Sequence, residues 1–234
     1  MTCSSGVIRR YFTMTFQWIG QNGFIFNAAG KTILVDPYLS DSCKTHRYTP
    51  IKKEIFDVVP DIIICTHDHL DHTDKDSLLP FLQRDRKIEF ISPYSSYLHA
   101  LSWGYKQHNY ILFEPGTVWT SDGIKITGVK AYHSDREAIG VIIEAEGKKV
   151  YITGDTLYNT NLAPALPKDL DAVFVCTNGA GNNMNMADAM QLCRELCPKA
   201  AYPVHIGMFD QKDPHEFDLP FAKYPTVYSV AEIE

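Results

Sequence analysis

No stretch of this 234-residue chain approaches the ~18 consecutive apolar residues that a membrane-spanning helix needs. Met1 to Tyr11 carries Arg9 and Arg10 with no apolar run behind them, so neither a membrane span nor a secretory signal is read, and the cytoplasm is the expected compartment. Basic runs are missing too. The 22 Lys and Arg are scattered among 28 Asp and Glu for a net charge of −6, so nothing tracks a phosphate backbone and nucleic acid is not an expected partner. The six cysteines, Cys3, Cys43, Cys65, Cys176, Cys193 and Cys197, lie apart and partly inside apolar runs, which reads as reduced core thiols rather than a disulfide framework. Cys193 and Cys197 have helical i, i+4 spacing, but they coincide with an apolar stripe and are read as core packing. A Gly-x-Ser-x-Gly elbow, a P-loop and a dinucleotide fingerprint are all absent, so neither a serine nucleophile nor a bound nucleotide is called for. The expected partner is a small-molecule substrate, with homo-oligomerisation left open.

What is present is a globular composition, 45% hydrophobic and 21% charged, that predicts one compact layered α/β domain over 14–234 behind a loose segment over 1–13. Directly after the apolar run Ile62-Ile63-Ile64-Cys65 comes His67-Asp68-His69-Leu70-Asp71-His72. Three imidazoles and two carboxylates in six positions are costly to fold for packing alone, because carboxylates repel and desolvated imidazoles need partners. A tight turn leaving a buried strand projects His67 and His69 to one side and turns Asp71 and His72 toward a neighbouring point, so one segment can feed two adjacent cations. Neutral imidazole and carboxylate suit zinc, manganese or iron. With no Cys in ligand spacing the site is open rather than structural.

Along the chain, Thr15 to Ile19, Gly23 to Ala28 and Lys31 to Val35 read as a strand meander, with Asn22-Gly23 and Ala29-Gly30 as hairpin signals. Strand Ile62 to Cys65, a helix near Lys75 to Gln83 capped by Thr73 or Asp74, strand Ile88 to Ile91 and a helix capped by Ser95 or Ser96 and ending at Gly104 give βαβα alternation. Hairpins return with Thr117 to Thr120, Ile124 to Ala131, Ala138 to Ala145 and Lys149 to Thr153. Strand Ala172 to Cys176, a helix near Ala187 to Cys197 and strand Ala201 to Val204 then repeat the alternation. Two halves of this layout pack most simply as two central sheets with helices outside.

Three further candidates follow buried strands, where rigid elements place ligands best: His133, Asp155 beyond Gly154, and His205. The order HxHxDH, His, Gly-Asp, His resembles the metallo-β-lactamase fold superfamily over nearly all of the chain from about Thr15. Within it the chain is most similar to L-ascorbate-6-phosphate lactonase-like metal-dependent hydrolases. That likeness runs through Trp18-Ile19-Gly20-Gln21-Asn22-Gly23-Phe24, Asp36-Pro37-Tyr38-Leu39-Ser40-Asp41, Ala131-Tyr132-His133-Ser134-Asp135, Asn178 to Asn185 and His205-Ile206-Gly207-Met208-Phe209. The resemblance implies a four-layer αββα sandwich. It also implies one divalent cation on His67, His69 and His133, a second on Asp71, His72 and His205, and Asp155 bridging both. Asp36 would hold a ligand imidazole by its second nitrogen. His46, His99, His108 and His215 have no place in the pattern and read as surface or structural residues.

Two such cations would activate water for hydrolysis, with the leaving group protonated by solvent, Asp68 or Asp71. The lactonase-like resemblance implies a sugar-derived lactone, phosphorylated or not. Arg47 and Arg136 are then candidates for a phosphate or carboxylate, and Asn178, Asn182, Asn183 and Asn185 for hydroxyls, with Asn185 also a helix cap. Rival expectations are a phosphodiester, thioester or amide hydrolase on the same scaffold, a metal-binding module without turnover, and a di-iron redox protein. The redox members of this fold carry Glu where His69 stands.

Overall fold

The computed structural model describes residues 13–210 and 212–234; the expected N-terminal segment 1–13 lies outside the described residues except for its last position. Among the described residues thirteen strands form two sheets. The first has the order β13-β1-β2-β3-β4-β5-β6: Val230–Glu232, Thr15–Gly20, Gly23–Ala28, Lys31–Val35, Ile62–Ile64, Glu89–Ser92 and Asn109–Leu112. The second runs β12-β11-β10-β9-β8-β7: Ala200–Val204, Ala172–Cys176, Lys148–Ile152, Ile139–Ala145, Ile124–Lys130 and Val118–Ser121. Helices α1 (Lys75–Leu82) and α2 (Tyr94–Ser102) cover the outer face of the first sheet, and α3 (Met186–Leu196) covers that of the second. This is the four-layer αββα sandwich.

Strand alternation decides which side chains go where. Inward positions such as Phe16, Trp18, Phe24, Phe26 and Ile33 meet Ile126, Val141, Ile143, Ile152 and Phe174 in one core between the sheets. Phe174 is its centre: the rings of Phe16, Phe24 and Phe26 approach it edge-on at 4.8, 4.8 and 5.7 Å, and Tyr202 stacks on it at 4.7 Å. The outward residues of the central strands, Ile25, Leu34 and Ile63 or Tyr151, Val173 and Val175, are buried as well, because helices lie over them. β3, β4, β5 and β6 are parallel, as are β10, β11 and β12. β8 runs with β10, since both are antiparallel to β9. The loops after β3, β4, β8, β10 and β12 therefore open on one edge of the sandwich, joined there by the β1–β2 turn.

Local chemistry departs from the sequence reading at a few places. Neither Ser95 nor Ser96 caps α2. The helix starts two to three residues earlier than those caps would place it, after Pro93, whose ring presets the backbone at φ −66°. Ser95 instead donates its backbone N–H to Glu137 Oε2 and its hydroxyl to Asp135 Oδ2, while the Ser96 hydroxyl lies 2.9 Å from that of Thr73. β6 and β13 have no counterpart among the expected strands; both are short and lie at sheet edges. Asp74 caps α1 by accepting from Ser77 N–H, and Asn185 caps α3 through Ala187 and Asp188 N–H. Cys65, Cys176 and Cys193 are buried thiols as expected, but Cys197 is exposed, ending α3 in a left-handed turn at φ 49°. Core packing holds for Cys193 and not for Cys197. No disulfide links the cysteines among the described residues.

Candidate metal centre

β4 ends at Ile64, and the hexad then folds into a turn in which His72 N–H and Thr73 N–H both donate to the His69 carbonyl, while the Thr73 hydroxyl donates to that of His67. That turn delivers four side chains to the shared edge, where His133, Asp155 and His205 arrive from the second sheet. Three groups of donor atoms result, each within 4.8 Å of one another: His67, His69 and His133; His67, His72 and Asp155; and Asp71, His72 and His205.

In the first group His69 Nδ1 lies 3.0 Å from both His67 Nε2 and His133 Nε2. The His133 tautomer is settled by the backbone: Nδ1–H donates to the Asn182 carbonyl at 3.0 Å, which leaves Nε2 as a bare lone pair aimed at the other rings. In the third group His72 Nε2, His205 Nε2 and Asp71 Oδ2 stand 3.1, 3.3 and 3.5 Å apart. Asp36 fixes His72 in the same way, accepting from Nδ1–H at 2.8 Å, and is itself held by Asn22 and by the N–H and hydroxyl of Thr66. Asp155 spans the groups. Its Oδ1 is 3.0 Å from His205 and 3.3 Å from His72, and its Oδ2 is 3.7 Å from His133 and 3.9 Å from His67.

Gly154 makes this placement possible. Its φ is +58°, and a Cβ there would lie 2.8 Å from the Ile139 carbonyl and 3.1 Å from Thr66, so a side chain would displace Asp155.

Burial and charge together set the protonation pattern. Burial, reinforced for His67 by the neighbouring His72, pushes the His67 and His133 imidazoles below their ordinary value and keeps them neutral. Burial opposes charge on His72 and His205 as well, but Asp155 and Asp71 outweigh it and hold both imidazoles up, His205 at about 9. The Asp71 and Asp155 carboxyls resist burial in return and sit well below the usual carboxylate range, because His72 and His205 face them.

A buried carboxylate oxygen without a well-aligned partner is costly, and Asp155 Oδ1 has no donor in hydrogen-bond geometry, its nearest nitrogens being Nε2 of His205 and His72 at 3.0 and 3.3 Å. Neutral imidazole lone pairs converging at 3.0 Å repel for the same reason. Both problems vanish with divalent transition-metal ions among these atoms, so the residues fit such a group by their donor chemistry. The edge lengths agree: donors ~2.1 Å from one ion are roughly 3.0 to 3.4 Å from each other.

The other expected site residues fall into different places. Asp68 joins none of the three groups; its carboxyl faces outward, with Oδ1 2.7 Å from His99 Nδ1. Arg47 donates to the Ser40 and Tyr38 carbonyls at 2.7 and 3.1 Å and lies over the Tyr38 ring, so it straps its own loop rather than offering its fork to an anion. Arg136 is exposed beyond His133. Asn178 and Asn183, expected to meet substrate hydroxyls, are turned inward, Nδ2 of the first 2.7 Å from His205 Nδ1 and Nδ2 of the second donating to Asp155 Oδ2 at 2.8 Å. Asn182 contributes its carbonyl, and its side chain is exposed.

Sequence reasoning missed Gln21, Thr66 and His99. Gln21 stood inside a quoted block, but nothing in a hairpin turn announces that its side chain is buried against Asp71 and His205. A cavity of about 680 Å³ lies at the opposite end of the second sheet, lined by Lys125, Lys148, Lys149, Lys168 and Lys199 with their acidic neighbours, remote from the donors.

The comparisons agree with this geometry. The UPF0173 metal-dependent hydrolase of Enterococcus faecalis is 31% identical over 192 residues, covering 77% of this chain and 80% of that one. Igni18, a metallo hydrolase from the archaeon Ignicoccus hospitalis, superposes with a TM-score of 0.77 at 22% identity over 95% of this chain and 100% of its own. CmlA, a diiron β-hydroxylase from Streptomyces venezuelae, does so with 0.74 at 15% identity over 94% of this chain and 54% of its own. These two solved structures share the fold. The family described as the Beta-lactamase superfamily domain matches residues 15–205, and the chain belongs to it.

Proposed function

We propose that the chain is a metal-dependent hydrolase that holds two divalent cations and opens a sugar-derived lactone. The observation that carries the two-cation reading is the division of Asp155, one oxygen toward His72 and His205 and the other toward His67 and His133. His67, His69 and His133 would hold one ion, Asp71, His72 and His205 the other. Fold likeness alone does not choose between hydrolysis and redox chemistry, since a diiron hydroxylase has the same fold; the relatives named metal-dependent hydrolases, one at 31% identity, favour hydrolysis. Zinc, manganese and iron all suit the donors.

Ions so held would lower the pKa of water toward about 7 and polarise a carbonyl. The protein's own groups do the rest. Asn182 and Asp36 keep His133 and His72 in the tautomers that present Nε2, and Asn183 and Asn178 orient Asp155 and His205. Asp71 is unsuited to protonate a leaving group, because His72 and His205 keep it ionised against the pull of burial. Asp68 is our candidate for that step: it is part-exposed, beside the donors, and hydrogen-bonded to His99. With Arg47 occupied by its loop, a phosphate on the substrate is left to Arg136, and the lactone ring itself becomes the part to be recognised.

The test is turnover by manganese- and zinc-loaded protein on a panel of sugar lactones with and without phosphate, phosphodiesters, thioesters and β-lactams. Lactone opening well above the others supports the reading. Preferential phosphodiester cleavage replaces it with the second hydrolase, and metal uptake without turnover on any member leaves a binding module.

A further inference from the structure

Gln21 has three features that a turn residue does not need. It is buried, with 4% of its surface exposed, and its backbone sits in the left-handed region at φ 51°, where non-glycine residues carry strain. Its carbonyl accepts two hydrogen bonds, from Trp18 Nε1 at 2.8 Å and from the His205 N–H at 3.0 Å, so the residue is pinned to the same backbone that carries a proposed ligand. Its amide nitrogen then lies 2.8 Å from Asp71 Oδ2 and 3.2 Å from His205 Nε2, while Oε1 is buried without any partner.

These contacts compete with the reading above, on which this inference rests. Asp71 Oδ2 accepts from the amide N–H, and the same lone pair, with the one that His205 Nε2 exposes on losing its proton, would bind the second cation. An ion there removes the only hold on the nitrogen end. The two ends of the amide are isosteric, and a half-turn about its last torsion brings the oxygen to face the ion. The distances to Asp71 and His205, 2.8 and 3.2 Å, are close to the 3.0 to 3.5 Å that separate the other donors there.

We infer that Gln21, through Oε1, is an additional neutral oxygen ligand of the second cation, and that it makes the two positions unlike. The first position has three imidazole nitrogens and one oxygen of Asp155. The second then has oxygens from Asp71, Asp155 and Gln21 beside the imidazoles of His72 and His205. Oxygen-rich sets favour harder ions, so the first position takes zinc and the second manganese or ferrous iron.

The experiment loads metal-stripped protein with one equivalent of zinc and then titrates manganese, following free Mn2+ by its paramagnetic resonance signal and both metals by elemental analysis. Wild type is expected to take one of each. Gln21→Met, close in volume but without the oxygen, should weaken manganese uptake about 10-fold or more and leave the zinc in place, and Gln21→Glu should tighten it about 10-fold. Manganese affinity unchanged in both variants overturns the ligand role, and so does an equal loss of zinc and manganese. If Gln21→Met does not fold by circular dichroism, Gln21→Glu decides alone. Failure of wild type to bind a second ion of any kind instead sinks the two-cation reading, a distinguishable result.

Discussion

Asp68 Oδ1 lies 2.7 Å from Nδ1 of His99, so a residue of the hexad that joins none of the donor groups is tied to the middle of α2. His99 packs edge-on against Trp103, with ring centroids 5.1 Å apart, which holds the imidazole in place. If Asp68 protonates the leaving group, Asp68→Asn should lower kcat by roughly 10²-fold on substrates with poor leaving groups, within the ordinary range for general acids, and far less on activated esters. His99→Gln should show a milder form of the same dependence. Equal losses across a leaving-group series would assign the pair a structural role only.

Asp155 divides its two oxygens, Oδ1 toward His205 and His72 and Oδ2 toward His133 and His67. Asp155→Ala should reduce bound metal from two equivalents to one or fewer, by elemental analysis, and abolish turnover, with the far-ultraviolet circular dichroism spectrum preserved. Unaltered kinetics in this variant would refute the bridging role.

Asp36 acts one bond further out, on the Nδ1–H of His72. Asp36→Asn should weaken the second cation by about 10- to 100-fold, read by competition with a chelating dye, and spare the first. Because Asn22 and Thr66 share the same carboxylate, a lower melting temperature is expected as well. Loss of both ions together would mean that the network supports the loop as a whole.

Metal uptake should release protons. Near pH 7.5 His72 and His205 hold theirs, because Asp155 and Asp71 raise them against burial, His205 to about 9, while both carboxyls are already ionised. Calorimetry in buffers of different ionisation enthalpy should report about one to two protons leaving per site pair at this pH, falling toward zero above pH 9. The sign for stability follows. A folded-state value of about 9 against an ordinary one near 6.5 contributes stability that is complete below about pH 6.5 and lost as pH rises through 9. Metal-stripped protein should therefore melt earlier at pH 9.5 than at pH 6.5, and loaded protein should change much less. A flat calorimetric response across buffers would contradict this assignment.

Much of the architecture was legible because its cues are local and periodic. Alternation in β1 and β8, the cap at Asp74 and the apolar stripe of α3 all reflect chemistry within a few residues. The hexad was legible for a different reason: five ionisable groups in six positions have no economical alternative to a shared partner. What stayed hidden depends on distance in sequence. Asn178 and Asn183 looked like substrate donors from composition, and their partners His205 and Asp155 lie 27 and 28 positions away, beyond any local pattern. Arg47 looked free because the carbonyls of Tyr38 and Ser40 that occupy it come from a loop without periodicity. Gln21 and Asp71 are fifty positions apart, and no local pattern joins them.

The proposed donors are divided between the two sheets: His67, His69, Asp71 and His72 leave β4, and His133, Asp155 and His205 leave β8, β10 and β12. Neither half alone presents a complete set, so strong metal binding can arise only after the sheets have closed on Phe174. The ions then act as a late clasp that slows separation of the halves without helping either to form. Their removal should quicken unfolding far more than it delays refolding.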